Sequence, residues 1–565
     1  MRKYPYSLIR GLSSTQIAII VAVVVIVIVI GVVAGLLLTR KPTPTVITTT
    51  TTFTTTTTTS ITTTTSIPTT TTTTGPLVFY TWWATEGKVA LNHLIPAFDN
   101  ATGLQLQPNV VPGAGGTNAK YAILALIEAG KPPAAFQVHF GPEMVSYVEA
   151  APNGVNSFVN MTPYAENWGL MNNSVYAVLQ AGAFNGTLLS IPVNVHRGAL
   201  LWVNMQLLRE YNLPFPYNFS TLVYDTVQLA NHGIHPWIVP GGDGGWDQFN
   251  LWEDIFLYLA GPQLYNEMIY GTINFNNATV QKLINETNYW FLNFTSYDYP
   301  GWQSMTWTQG LTLLVQGKVA FQANGNWLTN YAYDFLNTTA YPPLPQYINN
   351  SSVTLIETPF PGTQHYYALV IDSIGIPVGP QEQQALQLAH FWSSYQGQQI
   401  WTKWKAVTYY KNATDWFNTP AQWYDYQQLL NTSEQDFVYQ LSDGGVFDDV
   451  FAQINSGLLT LQEVGPAGLS AWNSTLVSAM HEEESEWLAA AKLGLGYLGF
   501  PGHPFAGYYP PWVTNPTAYG LKPTSHEVSS GVSMGQILPI MLISVGGGLL
   551  ISEAVISRYI RFPKL

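Results

Sequence analysis

The 565-residue sequence has no cysteine. Disulfides, thiolate metal centres and a cysteine nucleophile are therefore excluded. Charge is sparse as well. Asp, Glu, Lys and Arg make up 9% of the chain, against 47% hydrophobic and 14% aromatic residues. The surface must then be polar through Asn, Gln, Thr, Ser and Tyr. Such a surface depends little on carboxylate ionisation, which suits an acidic exterior. Basic residues are the scarcer kind: 20 Lys and Arg stand against 33 Asp and Glu, a formal net charge of −13. That balance argues against a nucleic-acid partner, which needs basic patches. Enzyme and metal signatures are missing too. "HEEESE" (481–486) lacks the second histidine of a zinc protease and reads as a solvated helix face. "GGDGG" (241–245) has neither the Lys-Ser/Thr of a phosphate loop nor dinucleotide spacing. "SDGGVFDD" (442–449) lacks the ligand spacing of a calcium loop. No 20–50-residue repeat is found. No metal or cofactor is expected.

What is present begins with one uncharged apolar run, "IAIIVAVVVIVIVIGVVAGLLL" (17–38). As a helix it would be about 33 Å long, the thickness of a bilayer core. The polar stretch "RGLSSTQ" lies before the run, whereas a secretory signal carries its cleavage site after a shorter apolar segment. In this the leader resembles the type IV pilin-like (class III) signal of archaeal surface proteins. The resemblance implies cleavage between Gly11 and Leu12 by a signal peptidase of the prepilin type, with the helix kept as an anchor. An uncut signal anchor is the alternative. Arg2, Lys3 and Arg10 favour an inside N-terminus, while Arg40 and Lys41 oppose it. Residues 42–75 are nearly all threonine, which buries too little to fold. Fully extended, this tract reaches about 100 Å. A second apolar segment, "QILPIMLISVGGGLLIS" (536–552), precedes a basic tail and reads as a second anchor or an interfacial helix. Asn-x-Ser/Thr sequons begin at Asn100, Asn160, Asn185, Asn218, Asn277, Asn293, Asn337, Asn412 and Asn473, as in an exterior, glycosylated domain.

Between the tether and the tail, residues 76–510 alternate short apolar runs with amphipathic stretches. Strands are expected over 77–82, 104–111 and 134–140, and helices over 89–98 and 118–130. That alternation predicts an α/β fold with mainly parallel sheets. About 430 residues exceed one ordinary sheet domain and suggest two lobes. The expected lobes are 76–190 with 308–380 and 191–307 with 381–510. A linker is expected over 511–535. Trp82, Trp83, Gln137 and His139 fall at or near the carboxyl ends of strands, where open α/β sheets place ligands. Adjacent strand residues face opposite ways, so one of Trp82 and Trp83 can close the core while the other faces a cleft.

Five stretches, in order, resemble the extracellular solute-binding proteins of sugar ABC transporters, the maltose-binding-like group. They are "VFYTWWATEGKVALNHLIPAFDNATG", "ALIEAGKPPAAFQVHFG", "IPVNVHRGALLWVNMQLLREYNL", "TWTQGLTLLVQGKVAFQANGNWLTNY" and "PGTQHYYALVIDSIGIP". Trp82-Trp83 with Glu86, the Gln137-x-His139 pair and "VNVHR" are most similar to glucose/galactose-type binders. One departure stands out. Gly325-Asn326-Trp327 replaces the usual "GDW", so an amide takes the place of a carboxylate. The resemblance implies a two-lobed, periplasmic-binding-protein-like fold (type II) and a non-catalytic receptor. It also implies a monosaccharide ligand, glucose before galactose, and an ABC transporter permease as partner.

The chemistry of a pyranose ring gives the candidate residues. Its C–H faces want flat aromatics, for which Trp82, Trp83, Trp246 and Trp307 are candidates. Its hydroxyl rim wants bidentate polar groups, for which Glu86, Gln137, His139, Asn324, Asn326, Gln364, His365 and Lys405 are candidates. A charge-assisted bond to a hydroxyl contributes about 1.5–3 kcal/mol. Bland readings stand beside each. Most of 19 tryptophans must be structural. Glu86 also suits the first turn of a helix, and Lys405 could be a solvated lysine. Two further functions compete. A surface glycoside hydrolase would need two carboxylates flanking the cleft, and only Glu86 can be placed there. A pilin-like adhesin would explain the leader and tether alone.

Overall fold

The computed structural model describes residues 75–113 and 116–522. The expected N-terminal helix, the threonine tract up to residue 74 and the C-terminal apolar segment lie outside them. Among the described residues, no helix is long and apolar enough to cross a membrane.

Two sheets organise the described chain. The first has six strands. Leu77–Thr81 pairs in parallel with Leu106–Val110 on one side and Ala135–His139 on the other. Ala135–His139 then meets the long strand Tyr367–Gly375 antiparallel. That strand also pairs antiparallel with Ser190–Arg197 and in parallel with Phe437–Tyr439. The second sheet has four strands in the order Phe321–Ala323, Leu200–Asn204, Leu355–Pro359, Ala340–Tyr341. Its first two pairings are antiparallel and the last parallel. The expectation of mainly parallel sheets therefore holds for the first three strands, whereas the sheets as wholes are mixed, with parallel and antiparallel pairings in each. Elsewhere the chain crosses between sheets and re-enters from the opposite end.

The same crossings correct the expected lobe boundaries. Of the stretch 308–380, strands Phe321–Ala323, Ala340–Tyr341 and Leu355–Pro359 belong to the second sheet, and only Tyr367–Gly375 to the first. Likewise Ser190–Arg197 and Phe437–Tyr439, expected in the second lobe almost entirely, pair in the first sheet. Two links join the sheets, 198–199 and 360–366, and the turn after Tyr439 leads from the first sheet into the helix Asp448–Val464. At the first, a Cβ on Gly198 would lie 1.7 Å from Gln440 Oε1, so a larger residue there would have to displace the Gln440 side chain.

Local sequence explains the elements around the first sheet. In Leu77–Thr81, Leu77, Phe79 and Thr81 alternate inward. The helix Glu86–Thr102 buries Ala90, Leu91, Leu94 and Phe98 at helical spacing. It ends at Gly103, whose left-handed φ of 73° returns its N–H to Asp99 O. Two expectations outside the sheets fail. "HEEESE" is not a solvated face, because Glu483 is fully buried in the helix Leu469–Lys492. Its carboxylate accepts from Phe447 N (3.0 Å) and Trp487 Nε1 (3.0 Å). Nor does a linker begin at 511. Trp512 is buried and donates Nε1 to Gly496 O (2.7 Å), so the folded domain runs on past it.

Candidate functional site

A cavity of about 230 Å³ lies between the first sheet and helices that pack on the second. That is below the ~300–1,000 Å³ usual for drug-sized ligands, and it suits a single small ring. From the first sheet come the turn after Leu77–Thr81, His139 at the end of its strand, and Asp372 in the middle of Tyr367–Gly375. From the second side come the starts of three helices. Trp246 opens Trp246–Ile269, Trp307 opens Trp307–Val315 and Trp327 opens Trp327–Phe335.

Five indoles form the walls: Trp82, Trp83, Trp246, Trp307 and Trp327. Trp82 is half-buried, with its ring 5.2 Å from that of His139. Trp83 is 3% exposed and packs against Trp401 (4.7 Å) and Trp392 (5.6 Å). Both neighbours in the Trp82-Trp83 pair thus reach the cavity, one as an outer plate and one as its floor. This happens because the strand ends at Thr81, whose Oγ1 accepts from Trp83 N (3.1 Å) and releases the pair from strict alternation. Trp246 lies behind Gly245, whose φ is 101° and whose Cβ would fall 2.1 Å from Asn455 O. No other residue fits there without shifting backbone. Trp246 Nε1 donates to Asp443 Oδ1 (3.0 Å). Trp307 N donates to Asp243 Oδ2 (2.6 Å). The indole N–H groups of Trp83 and Trp327 are buried and find no acceptor among the described residues. A buried donor left unpaired costs about 1–3 kcal/mol.

Ionisable groups supply the rim. Lys405 Nζ pairs with Glu86 Oε1 at 3.1 Å, both nearly buried, with the ammonium 5.7 Å from the Trp83 ring centre. Glu86 also accepts from its neighbour Thr85 Oγ1. His139 Nδ1 donates to Glu143 Oε2 (2.6 Å). Burial lowers the His139 pKa, but Glu143 more than offsets it, and the net shift is upward. Burial would raise Glu143, yet Lys120 and His139 hold it down at about 2. Asp372 accepts from Gln137 Nε2 (2.8 Å) and Asn194 Nδ2 (2.9 Å) and lies 3.4 Å from His196 Nε2. Burial opposes its charge, but His196 and Lys405 outweigh that and keep it ionised well below the usual carboxylate range. Burial and then the Lys405 charge pull His196 down, against Asp372. Asp243 and Asp443 are both pushed up by burial. The cavity therefore offers acceptors, donors and a cation at its edge, with indole faces between them.

Of the residues singled out in the sequence, Trp82, Trp83, Glu86, His139, Trp246, Trp307 and Lys405 line the cavity. Five do not. Gln137 is fully buried and spends its amide on Asp372 and its carbonyl on Trp82 N (3.2 Å). Asn324 donates to Asp247 Oδ1 (2.7 Å) and accepts from Gly325 N (2.9 Å). Asn326 accepts from His196 Nδ1 (2.7 Å) and donates to Asp425 Oδ2 (2.8 Å). These three stand behind the lining and orient it. Gln364 and His365 are away from it: Gln364 bonds Gly362 N and Tyr217 O, and His365 is exposed. Reasoning from sequence missed His196, Asp243, Asp372, Asp443 and Trp327. His196, Asp243 and Trp327 sit inside "VNVHR", "GGDGGWDQ" and "GNW", so their neighbours were visible and they were not. Asp443 lies in the acidic stretch set aside because it lacks calcium-loop spacing.

Residues 83–399 match the family described as bacterial extracellular solute-binding protein. The chain is 77% identical over 549 residues to a glucose-binding protein, GlcS, of Saccharolobus solfataricus, covering 96% of this chain and 98% of the relative. It is 27% identical to an uncharacterised ABC transporter extracellular-binding protein of Pyrococcus horikoshii, covering 73% of this chain and 90% of that one. Among solved structures, a chitin oligosaccharide-binding protein superposes with a TM-score of 0.58 at 16% identity, covering 73% of this chain and 98% of that chain. A bacterial solute receptor, AcbH, described as preferring β-D-galactopyranose, gives 0.57 at 13%, with coverage of 73% and 98%. At those identities the structures speak for the two-lobed α/β fold alone. Fold, matched segment and near-full-length relative agree: this chain belongs to the bacterial extracellular solute-binding protein family.

Proposed function

We propose that this chain is the extracellular receptor of a sugar ABC transporter and that it captures glucose between its lobes. The observation that carries this reading is a single-ring cavity walled by five indoles, two of whose N–H groups are buried without an acceptor. The 77% identity to a named glucose-binding protein supports the choice of sugar. Glu86, Asp372 and Asp443 accept from hydroxyls, and Lys405, Trp83 and Trp327 donate to them. Because lining residues come from both lobes, the ligand favours the state in which the lobes are shut. That state docks on the permease.

The leader and tether fit the same role. The apolar run 17–38 anchors the chain after cleavage at Gly11/Leu12, and the threonine tract lets the receptor range over the membrane surface. The segment 536–552 supplies a second attachment. N-terminal sequencing of membrane-extracted protein tests this. A mature N-terminus at Leu12 is expected, and a soluble, uncut chain would refute it.

Calorimetric titration of the purified receptor with glucose, galactose and maltose, with sugar analysis afterwards, tests the binding reading. Saturable 1:1 binding of glucose, unconsumed, with a change in tryptophan emission, is expected. Hydrolysis of glycosides would make the protein an enzyme. Binding of no sugar would leave an adhesin.

A further inference from the structure

A second cavity, of about 400 Å³, is built on the outer side of the first-sheet lobe. It forms where the helix Glu382–Ser393 ends and Tyr395–Thr402 begins, at Ser394. One wall is a flat plate. The Trp168 and His390 rings stack 4.7 Å apart, 25° from parallel, and neither is fully buried. Another wall is Tyr395, 48% exposed, set edge-on against Tyr410 (5.8 Å) and Trp416 (4.5 Å). Asn173 and Asn412 bring amides to the rim. Aromatic plates with amides between them are what a pyranose needs.

Asn412 is also the first residue of the sequon Asn412-Ala413-Thr414. Asn412 and Thr414 are exposed and Ala413 is buried. The turn that carries them is fixed. Lys411 N donates to Asn173 O (2.9 Å), Tyr395 Oη to Asn412 O (3.2 Å), and Ala413 N to Tyr426 Oη (2.9 Å). The backbone that carries the acceptor residue is therefore fixed at the edge of this cavity.

We propose that Asn412 carries an N-linked glycan and that its first sugars lie in this cavity against Trp168 and His390. In the attachment step, Asn412 Nδ2 attacks the anomeric carbon of a lipid-linked sugar phosphate. One C–N bond forms, one C–O bond to phosphate breaks, and the Nδ2 proton leaves with the departing lipid phosphate. Tethering decides the occupant. An open site that would hold free sugar weakly sees an attached one at millimolar effective concentration. The glycan then covers the joint between two helices and the exposed Tyr395.

The test uses the full chain purified from an archaeal host that N-glycosylates. Glycopeptide mass spectrometry reads occupancy at Asn412, and hydrogen exchange reads residues 168–173 and 390–397. Thr414→Ala ends the sequon but keeps the amide; Asn412→Gln removes both; Asn100→Gln removes another exposed sequon as a control. Occupied Asn412 in the parent is expected, with exchange in both segments about threefold faster in the first two variants and unchanged in the third. Trp168→Ala should keep the glycan yet abolish that difference. An unmodified Asn412 overturns the proposal. So does a modified Asn412 whose loss leaves both segments exchanging at the parent rate.

Discussion

Trp246 and Trp327 stack with ring centres 5.4 Å apart and planes 28° from parallel. Each is the first residue of its helix, so two separate backbones set one continuous aromatic wall. The two indoles nevertheless differ. Trp246 spends its N–H on Asp443, whereas Trp327 has no acceptor among the described residues. Trp327→Phe keeps an aromatic plate, smaller by one fused ring, and removes the donor. A lost neutral hydrogen bond is worth about 1–1.5 kcal/mol, so glucose affinity should fall about tenfold with little change in melting temperature. Trp83→Phe should do the same. Titration calorimetry checks both, and a dissociation constant within twofold of the parent in both variants would mean that these N–H groups face no hydroxyl.

The Glu86–Lys405 pair is buried at both ends. Removing one partner leaves an uncompensated charge, which costs about 3–5 kcal/mol. Lys405→Met alone should therefore destabilise the fold strongly, and Glu86→Gln with Lys405→Met should recover much of the loss. Chemical denaturation of the singles and the double measures the coupling. Additive effects would show that the pair contributes nothing as a pair.

Several carboxyls are pushed up by burial. Asp225 stands at about 8, Glu253 at about 8 and Asp448 at about 6, although Lys120 opposes the shift in the last case. A carboxyl whose folded pKa is raised favours folding below its unfolded value and loses that contribution as pH climbs through the folded value. Stability should thus fall between about pH 4 and pH 8. Glu143 works the other way: its contribution is present above the ordinary carboxylate range and lost as pH drops towards 2. The melting temperature should peak in mild acid. Asp225 is fully buried and neither of its oxygens has a hydrogen-bond partner among the described residues. Asp225→Asn should raise the melting temperature at pH 8 and flatten the profile. Differential scanning calorimetry from pH 3 to 8 follows both, and a melting temperature that rises steadily towards pH 8 would contradict the assignment.

Gln364→Ala and His365→Ala should leave glucose affinity unchanged, since neither side chain lines the cavity. Fluorescence titration decides it. A tenfold loss in either variant would place the 361–366 link against the ligand after all.

These two residues also show why part of the site was not legible. They sit in a stretch similar to the family's return strand, but sequence proximity to a strand says nothing of where a preceding loop turns. The strand ends were easier. Trp83 and His139 could be placed because a parallel sheet delivers the ends of its first strands to one edge. Gln137 shares its strand with His139 and was drawn in by that pairing, yet its position beside Asp372 consumes its amide. Asp443 ends the short 3-10 turn Leu441–Asp443, which follows a strand added to the sheet late in the chain, and only tertiary packing brings it 3.0 Å from Trp246 Nε1. The lobe boundaries were misplaced for the same reason: Tyr367–Gly375 is the one segment of its neighbourhood that crosses back.

Beneath the Trp82 plate, Lys120 Nζ lies 2.8 Å from Glu143 Oε2 and 3.4 Å from Asp448 Oδ1. Lys120 belongs to a helix beside the first sheet, and Asp448 begins a helix packed on Trp246–Ile269. Parting the lobes must therefore pull a sequestered ammonium off one of its two counterions, whether or not sugar is present. The empty receptor carries its own latch, and the share of molecules that present a shut face to the permease without cargo is set by that latch.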